Sequence, residues 1–453
     1  MRVKVDRQRY FAWQAETSSK IVAEYEERYC SISKILDAVP AVLDLVDRDL
    51  KRLSKPGQRG RKSTFTSEIL LRTLIVHQLE GFSLRRTQIA IAHSQFLQGF
   101  LRLGPRKAPD FSTIERALKR IRPETWEKVN AVITGHAHEL ELLDTSTLRV
   151  DTTVVETTIH YPTDSSLLWD SWRTCYRLLS LARGHFPGLI QHRFHRNKTK
   201  KLHLYITRYS KSPSKKRQRS VKKRKRKFLA QVARAVSAVA SFVEEHADSD
   251  DPTLDAIASE MREFLPPMQT VLRTAERAWL TEEKVPAKDR VFSIFEPHTE
   301  LIKRGRNGKP VEFGHMILLG QTRDKFITQF SVMRKKIPDN LLPQGIVDKH
   351  EQSFGKPPDI LVADKGFRGK PEPMEALAER VDQVAIPRVL KDWTDPEFVQ
   401  LHHFRAGIEG SISVLKRAFG LLRCQYRGFR SFASHVGAAV VCHNLLLLGK
   451  LIF

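Results

Sequence analysis

Cysteine is scarce in this chain, which limits the kinds of site that cysteines can form. Four cysteines occur among 453 residues, at Cys30, Cys175, Cys424 and Cys442. Their spacing matches no metal-binding pattern. Reduced thiols in a cytosol fit this usage better than a disulfide framework does. No secretory signal is visible either, because the N-terminus is charged almost throughout. The sequence thus favours a cytoplasmic protein without a cysteine metal site.

Long hydrophobic runs are also lacking. The most apolar stretch, Val436–Phe453, carries His443, Asn444 and Lys450. It is too short and too polar to span a bilayer. We expect it to form a core helix at the end of a domain. No internal repeat is evident, which argues against a solenoid or repeat array.

Acidic residues are under-represented relative to basic ones. The chain has 77 Lys and Arg against 51 Asp and Glu, a formal charge of +26. A soluble chain this basic most often binds nucleic acid or an anionic membrane. Its length of 453 residues is enough for two or three domains with a sizeable core.

One segment, Arg193–Lys227, contains no acidic residue and seventeen Lys and Arg. Phe194, Tyr205 and Tyr209 are interleaved with these cations, and the part Lys211–Arg217 is expected to be mobile. A dense run of one sign repels itself unless a polyanion is bound, so we expect contact with DNA; the alternative is a solvated face. The densest part consists of Lys222, Lys223, Arg224, Lys225, Arg226 and Lys227.

The N-terminal part contains short basic helices joined by tight turns. Residues 1–54 are expected to be helical, Lys55–Lys62 reads as a basic linker, and residues 62–140 are expected to resemble a helix-turn-helix DNA reader. The alternative is a helical domain that only packs on another domain. Its first helix should run from Ser67 to Glu80 and stop at Gly81, and Ser83 should cap the next. The candidate DNA contacts are Arg85, Arg86 and Arg116.

A helix predicted from about Pro396 to Phe419 carries a row of functional groups. At about 100° per residue, His402, Arg405, Glu409 and Lys416 fall within a wedge of roughly 60°. Leu401, Ile408, Ile412, Leu415 and Phe419 form an apolar stripe beside that wedge. The simple interpretation is an Arg–Glu pair on a solvated face. Two further carboxylates favour a functional interpretation.

Those carboxylates are Asp151 and Asp364, each associated with a β-rich segment. Asp151 lies within the sequence Thr147–Val155, and Asp364 follows the apolar run Ile360–Ala363. Carboxylates just beyond buried strands lie where open α/β sheets place their sites, although a single such aspartate is more often a turn or cap residue. Glu156 is a rival, but its odd offset from Asp151 assigns it to the other strand face.

The chain order around these aspartates indicates a sheet with an insertion. After Asp151 come an insertion of about residues 165–282, two strands, and then helix, strand, helix, strand and helix. Inside the insertion, Pro266-Pro267 should separate two helices. Further expected elements are a second strand over Val154–Tyr161, strands at Arg290–Phe295, His315–Leu319, Phe326–Met333 and Val384–Ile386, helices at Phe228–Glu245 and Leu342–Ser353, and a basic turn at Arg304–Lys309.

These residues resemble the DDE transposases of bacterial insertion sequences. One branch of that family carries Tyr-x2-Arg-x3-Glu-x6-Lys on the helix with the catalytic glutamate. This chain has His402-x2-Arg405-x3-Glu409-x6-Lys416, with His in place of Tyr. The resemblance covers roughly Arg61–Phe453 apart from the basic insertion. The insertion-sequence group catalogued as not classified elsewhere (ISNCY) is the most similar.

The resemblance implies a fold of class α/β, with a helical N-terminal domain and an RNase H-like mixed-sheet catalytic core at residues 145–453 that the helical basic insertion interrupts. It implies that Asp151, Asp364 and Glu409 are catalytic and bind two Mg²⁺ or Mn²⁺ ions. In that scheme Asp151 bridges both ions, and each of the other two holds one. Arg405 and Lys416 would contact DNA phosphates, and His402 would contact the flanking strand or be a structural histidine.

The implied activity is cleavage and strand transfer of transposon ends. The partners would be double-stranded DNA, both transposon ends and target, and a second copy of the chain when paired ends are bound. The protein would act in the bacterial cytoplasm, at the nucleoid. Two alternatives stay open: a captured transposase-like metal nuclease that only binds and nicks DNA, and a non-catalytic DNA-binding protein.

Overall fold

The chain folds into two compact units in a computed structural model that describes residues 19–52, 63–246, 248–303, 310–388 and 393–452. The predicted linker Lys55–Lys62 and basic turn Arg304–Lys309 lie outside the described residues. The core unit comprises Met1–Thr158 and Gly314–Phe453, and the inserted unit comprises Ile159–Phe313. The protein is therefore a mixed α/β chain in which one unit is inserted into the other.

Within the described residues, seven helices and a long strand form the first part of the core unit. Helix α3 begins where the Thr66 hydroxyl accepts the Ile69 amide, and it ends at Gly81 with φ of 60°. Ser83 caps α4 by accepting the Arg86 amide. Helix α3 begins and ends as predicted, and α4 begins at the predicted cap. The elements are α1 (Lys20–Ala38), α2 (Pro40–Lys51), α3 (Ser67–Glu80), α4 (Leu84–His93), α5 (Gln95–Phe100), α6 (Phe111–Arg120), α7 (Pro123–Glu139) and β1 (Thr147–Thr157).

The inserted unit is mainly helical and has its own apolar core. Its elements are α8 (Asp164–His185), α9 (Arg196–Tyr209), α10 (Lys215–His246), α11 (Pro252–Leu280) and β2 (Glu300–Lys303). Trp172, Phe228 and Met261 lie in that core. The predicted mobile segment is wrong in part, because α10 already begins at Lys215. The predicted strand at Arg290–Phe295 is absent from the described structure, where those residues are irregular.

The prediction that Pro266-Pro267 separates two helices is wrong. Helix α11 continues through both prolines. The two carbonyls that lose their helical donors belong to Arg262 and Glu263, which are exposed and therefore accessible to water. Burial of Met261, Met268 and other apolar side chains of α11 in the unit's core stabilises the continuous helix.

The core unit is built on a mixed sheet. Strand β1 is flanked by β3 (Val311–Thr322), which is antiparallel to it, and by β5 (Ile360–Val362), which is parallel to it. Antiparallel β4 (Ile327–Val332) pairs with β3, and parallel β6 (Gln383–Ala385) pairs with β5. Strand β7 (Arg423–Cys424) pairs with the end of β1, and β2 pairs with β3. A separate strand at Val154–Tyr161 does not form, because β1 continues without a break to Thr157.

The remaining helices of the core unit are α12 (Pro343–Phe354), α13 (Pro371–Ala378), α14 (Pro396–Ala418) and α15 (Phe429–Ile452). Helix α15 is long and apolar enough to cross a membrane by length and composition, but 61% of its most apolar window is buried. The Asn444 side chain on α15 bonds to the Asn130 side chain on α7 and to both backbone groups of Ile327 on β4. Helices and sheet thus share one core.

Candidate active site

Asp151 and Asp364 lie side by side because their strands are adjacent and parallel. Arg149 of β1 is the register partner of Val362 of β5. Continuing that register by two residues brings Asp364 opposite Asp151. Asp364 is half-buried just beyond the end of β5, as predicted for a carboxylate at this sheet edge. Its side chain accepts the Gly366 amide at 2.8 Å and caps a short 3₁₀ turn, Lys365–Phe367.

Helix α14 places Arg405 between the first and third carboxylates. An Arg405 guanidinium nitrogen lies 3.6 Å from an Asp151 carboxylate oxygen, and another lies 3.5 Å from a Glu409 carboxylate oxygen. The Glu409 side chain is 65% exposed, whereas those of Asp151 and Arg405 are 16% and 17% exposed. The structure therefore brings Asp151, Arg405 and Glu409 into one cluster, with Glu409 at its solvent side.

The electrostatics of Asp151 reflect its crowded surroundings. Burial raises the pKa of the Asp151 carboxyl to about 6, and the nearby charges of Asp364 and Glu409 raise the pKa as well. The Thr152 amide, which donates to Asp151 at 2.7 Å, and the Arg405 guanidinium lower the pKa but do not cancel these effects. All three carboxylates are thus close enough to interact electrostatically.

The cluster suits a divalent cation by its chemistry. Carboxylate oxygens are the ligands that Mg²⁺ and Mn²⁺ prefer, and a cation would relieve the repulsion that raises the Asp151 pKa. Among the described residues, no three His, Cys, Asp or Glu side chains lie close enough to share one ion. In this arrangement the guanidinium of Arg405 is the cation between Asp151 and Glu409.

A fourth carboxylate, Asp339, lies at the same site, and the sequence analysis missed it. A Cβ built on Gly366 would lie 3.0 Å from Asp364 and 3.6 Å from an Asp339 oxygen. The Thr152 hydroxyl donates to Asp339 over 3.5 Å, a weak bond. Asp339 follows Pro338 and begins a 3₁₀ turn of three residues, Asp339–Leu341, which is too short for strand or helix periodicity to indicate it.

The other two residues of the α14 motif lie in different environments. His402 is buried, with its ring 5.0 Å from that of Trp393 and 4.5 Å from that of Phe398. Lys416 is half-buried in the last turn. The position of His402 is that of a packed histidine, which was the alternative to strand contact. The rival carboxylate Glu156 pairs with Arg423 at 2.8 Å.

The three predicted DNA-contact residues of the N-terminal helices, Arg85, Arg86 and Arg116, are exposed. Arg85 and Arg86 lie in the first turn of α4, where their guanidinium groups stack on the rings of Phe111 and Phe82. Arg116 on α6 donates to the Ser112 carbonyl and the Thr113 hydroxyl of its own helix. Three residues, Gly81, Phe82 and Ser83, join α3 to α4.

The six consecutive cations Lys222–Lys227 of α10 do not form a uniform cluster. Arg224 stacks on Tyr205 at 3.9 Å, and Lys225 lies 4.8 Å from the centre of the Trp279 ring. Lys222 is paired with Glu282 at 2.7 Å. The other three, Lys223, Arg226 and Lys227, are exposed. These six cations are consecutive in sequence, but the helix directs some of them to neighbouring side chains and the others to solvent.

Comparison with known protein families gave two matches. Residues 322–445 match the family described as Transposase DDE domain, a region that contains Asp364 and Glu409 but not Asp151. Residues 23–120 match the family described as Transposase domain (DUF772), a region that contains Arg85, Arg86 and Arg116. No curated protein and no solved structure matches the chain. The two matches do not identify a group within the insertion sequences.

Proposed function

Because this chain belongs to the DDE transposases of insertion sequences, we propose that it binds transposon-end DNA and catalyses metal-dependent strand cleavage and strand transfer. Transposases act on DNA, which accords with the formal charge of +26. The partners are double-stranded DNA at both ends and at the target, and a second copy of the chain on paired ends. The family indicates a cytoplasmic protein, and we propose that it works at the nucleoid.

One observation carries the catalytic proposal: Arg405 lies within 3.6 Å of Asp151 on β1 and of Glu409 on α14. Asp364, just beyond β5, lies opposite Asp151 across the parallel pair of strands. Asp151, Asp364 and Glu409 would hold the divalent ions. When bound, such ions activate a water or a 3′-hydroxyl and stabilise the leaving oxygen. Burial of Asp151 and the exposure of Glu409 leave one open side for DNA. Arg405 and Lys416 would contact phosphates there, which positions the DNA without reading its sequence.

The strand arrangement supports an RNase H-like core. Three antiparallel strands, β4, β3 and β1, continue into the parallel strands β5 and β6. In this order the central strand β1 carries Asp151, its neighbour β5 leads to Asp364, and α14 covers them with Glu409. This placement on a strand, at the end of the neighbouring strand and on a helix supports the proposal that Asp151, Asp364 and Glu409 are the catalytic carboxylates.

The test is cleavage of a duplex that contains a transposon end, with Mg²⁺ or Mn²⁺, by Asp151→Asn, Asp364→Asn and Glu409→Gln. Each amide keeps the side-chain shape but removes the charge, so each variant should lose cleavage and still bind the end. A variant that cuts at close to the wild-type rate shows that its residue was assigned wrongly. Cleavage without joining to a second duplex would favour a nuclease over a transposase.

A further inference from the structure

Arg149 is a buried cation on the strand that carries Asp151. Its residue is 4% exposed, and it lies two positions before Asp151 on β1. Its Nη1 donates to the Phe404 carbonyl of α14 at 2.6 Å, and its guanidinium carbon lies 4.5 Å from the centre of the Phe404 ring. Arg149 therefore joins β1 directly to the backbone of α14, one residue before Arg405.

The partners of Arg149 are neutral. Its Nε and Nη2 donate to the Gln321 side-chain oxygen at 3.0 and 2.6 Å, and none of the ion pairs among described residues includes it. Burial lowers the pKa of the guanidinium to about 10, so it stays charged at neutral pH. Burying a cation without a carboxylate is costly, and an apolar side chain would fill this space at less cost. Stability therefore does not explain why an arginine occupies position 149, and a role in function would explain it.

Gln321 extends the connection to a second point on the same helix. Its side-chain nitrogen donates to the Ser411 hydroxyl of α14 and to the Lys325 carbonyl, each at 2.8 Å. Arg149 and Gln321 are also register partners across β1 and β3. The two strands thus hold α14 at Phe404 and at Ser411. Arg405 and Glu409 lie between those two points.

Gly407 is the place where α14 approaches the guanidinium. A Cβ built on Gly407 would lie 2.4 Å from Nη1 of Arg149, so any other residue must push the helix or the guanidinium away. Gly410 lies on the same helix, and a Cβ built there meets nothing within 4 Å. Gly407 therefore has no space for a side chain because of Arg149, whereas Gly410 has that space.

We propose that Arg149 is a positioning residue, which sets the rotation and height of α14 on β1 so that Glu409 and Arg405 face Asp151. The inference rests on the proposed function, because it concerns the same carboxylates. Misplacement of a reacting group by roughly 1 Å can cost about 100-fold in rate. A displaced α14 should therefore slow cleavage much more than it weakens DNA binding, to which other parts of the chain contribute.

The first experiment compares Gly407→Ala with Gly410→Ala in the full chain. We expect Gly407→Ala to lower the single-turnover cleavage rate of bound end DNA by about 100-fold. Its affinity for the end without metal and its thermal unfolding should stay close to wild type. Gly410→Ala should cleave at the wild-type rate. Equal rates for the two variants, whether both fast or both slow, would overturn the proposal.

The second experiment asks whether Gly407 acts through Arg149. Arg149→Met keeps the apolar stem but removes the guanidinium, so it should slow cleavage and also leave room for a Cβ at position 407. Adding Gly407→Ala to Arg149→Met should then change the rate little, whereas independent effects would multiply. Multiplying effects, or an Arg149→Met variant that cleaves normally, would reject the positioning role.

The outcomes separate this inference from the proposed function. If wild type and Gly410→Ala both fail to cleave end DNA with Mg²⁺ or Mn²⁺, the proposed function itself is wrong. If both cleave and Gly407→Ala cleaves equally well, only the role of Arg149 is wrong. If Arg149→Met does not fold, the comparison of the two glycines still decides the question.

Discussion

At the scale of single residues, the Asp151 carboxylate of the candidate site destabilises the fold when it is ionised. Its carboxylate is largely buried, and it interacts unfavourably with the charges of Asp364 and Glu409. Burial is the larger of these effects. Together they raise its pKa from 3.8 to about 6, a change that corresponds to at most about 3 kcal/mol in favour of the protonated form. The ionised form of Asp151, which the proposed chemistry needs, thus destabilises the folded protein.

We therefore predict that Asp151→Asn stabilises the metal-free protein above pH 6. Because the folded-state pKa is raised, the contribution of Asp151 to stability is greatest below pH 3.8 and is lost as the pH rises through about 6. The gain from Asn should be on the order of 1–3 kcal/mol at pH 7.5 and should shrink toward zero near pH 4. Urea unfolding at the two pH values measures it.

Asp382, an exposed aspartate in the core unit, provides a matched control. Asp382→Asn should leave the unfolding midpoint nearly unchanged at both pH values, as surface substitutions usually do. A loss of stability in Asp151→Asn at pH 7.5 would mean that the pairing with Arg405 outweighs burial and repulsion.

At the scale of elements, α10 shows how a helix assigns different roles to neighbouring cations. The buried side chains Val221, Phe228 and Leu229 define the face that packs into the inserted unit. Arg224 and Lys225 flank that face, where Arg224 stacks on Tyr205 and the Lys225 ammonium lies over the ring of Trp279. The other face points to solvent. A mobile basic segment could present all its cations to DNA, whereas an ordered helix presents only those on its exposed face.

We predict that Lys223, Arg226 and Lys227 contribute most to DNA contact by this part of α10. Each phosphate neutralised changes the slope of log K against log salt by about 0.9. Replacing these three by Gln should make the slope shallower by about 2–3. The effect should be the same for end and random duplexes, because phosphate contacts carry no sequence information. Binding titrations from low to moderate salt measure both quantities.

The matched control replaces the other three cations of the run, Lys222, Arg224 and Lys225, by Gln. The same formal charge is removed, but these side chains already contact Glu282, Tyr205 and Trp279. The salt slope should change less, and the inserted unit should unfold more easily. Equal slopes for the two triple variants would mean that net charge alone matters. Loss of binding only on end sequences would mean that the helix reads bases.

At the scale of the whole chain, the core unit joins segments from both ends of the sequence through buried polar groups. His77 on α3 contacts the Thr87 hydroxyl at 2.9 Å and also the Tyr426 hydroxyl. His435 on α15 and His350 on α12 are buried as well. Burial lowers the pKa of each of these three histidines to about 4. They are therefore neutral in the folded protein at neutral pH.

We predict that the core unit loses stability as the pH falls from 6.5 toward 4. A lowered folded-state pKa means that the stabilising contribution is complete above the unfolded value of 6.5 and is lost below it. Each of the three histidines contributes up to about 3 kcal/mol to this loss of stability. Asp151 opposes the loss by a similar amount, but it is a single residue against three. Unfolding by urea across this range should show the decline. His435→Gln should make it less steep.

His93 provides the control for that measurement, because it is exposed at the end of α4. His93→Gln should leave the pH profile of stability unchanged. A wild-type profile that is flat between pH 6.5 and 4 would show that these histidines titrate alike in the folded and unfolded chain.

Local sequence patterns were sufficient to predict the features that depend on neighbours along the chain. The ends of α3, the cap of α4 and the span of α14 follow from capping residues and from helical periodicity. Asp151 and Asp364 could be chosen as candidates because Asp151 lies within a β-rich segment and Asp364 directly follows one. Arg405 and Glu409 lie on one face because they are four residues apart, and the structure places them 3.5 Å apart.

Other features depended on residues that are distant in sequence, and only the folded chain determined them. Helix α11 continues through two prolines because its apolar side is buried against other helices. Asp339, in a short 3₁₀ turn, lies beside the same glycine as Asp364. Arg149 contacts a helix more than 250 positions away in the chain. Side chains become buried, repel each other and approach closely only once distant parts of the chain are packed together. No spacing in the sequence could therefore reveal that Gly407 faces a guanidinium. The same holds for the position of Arg405 between two carboxylates.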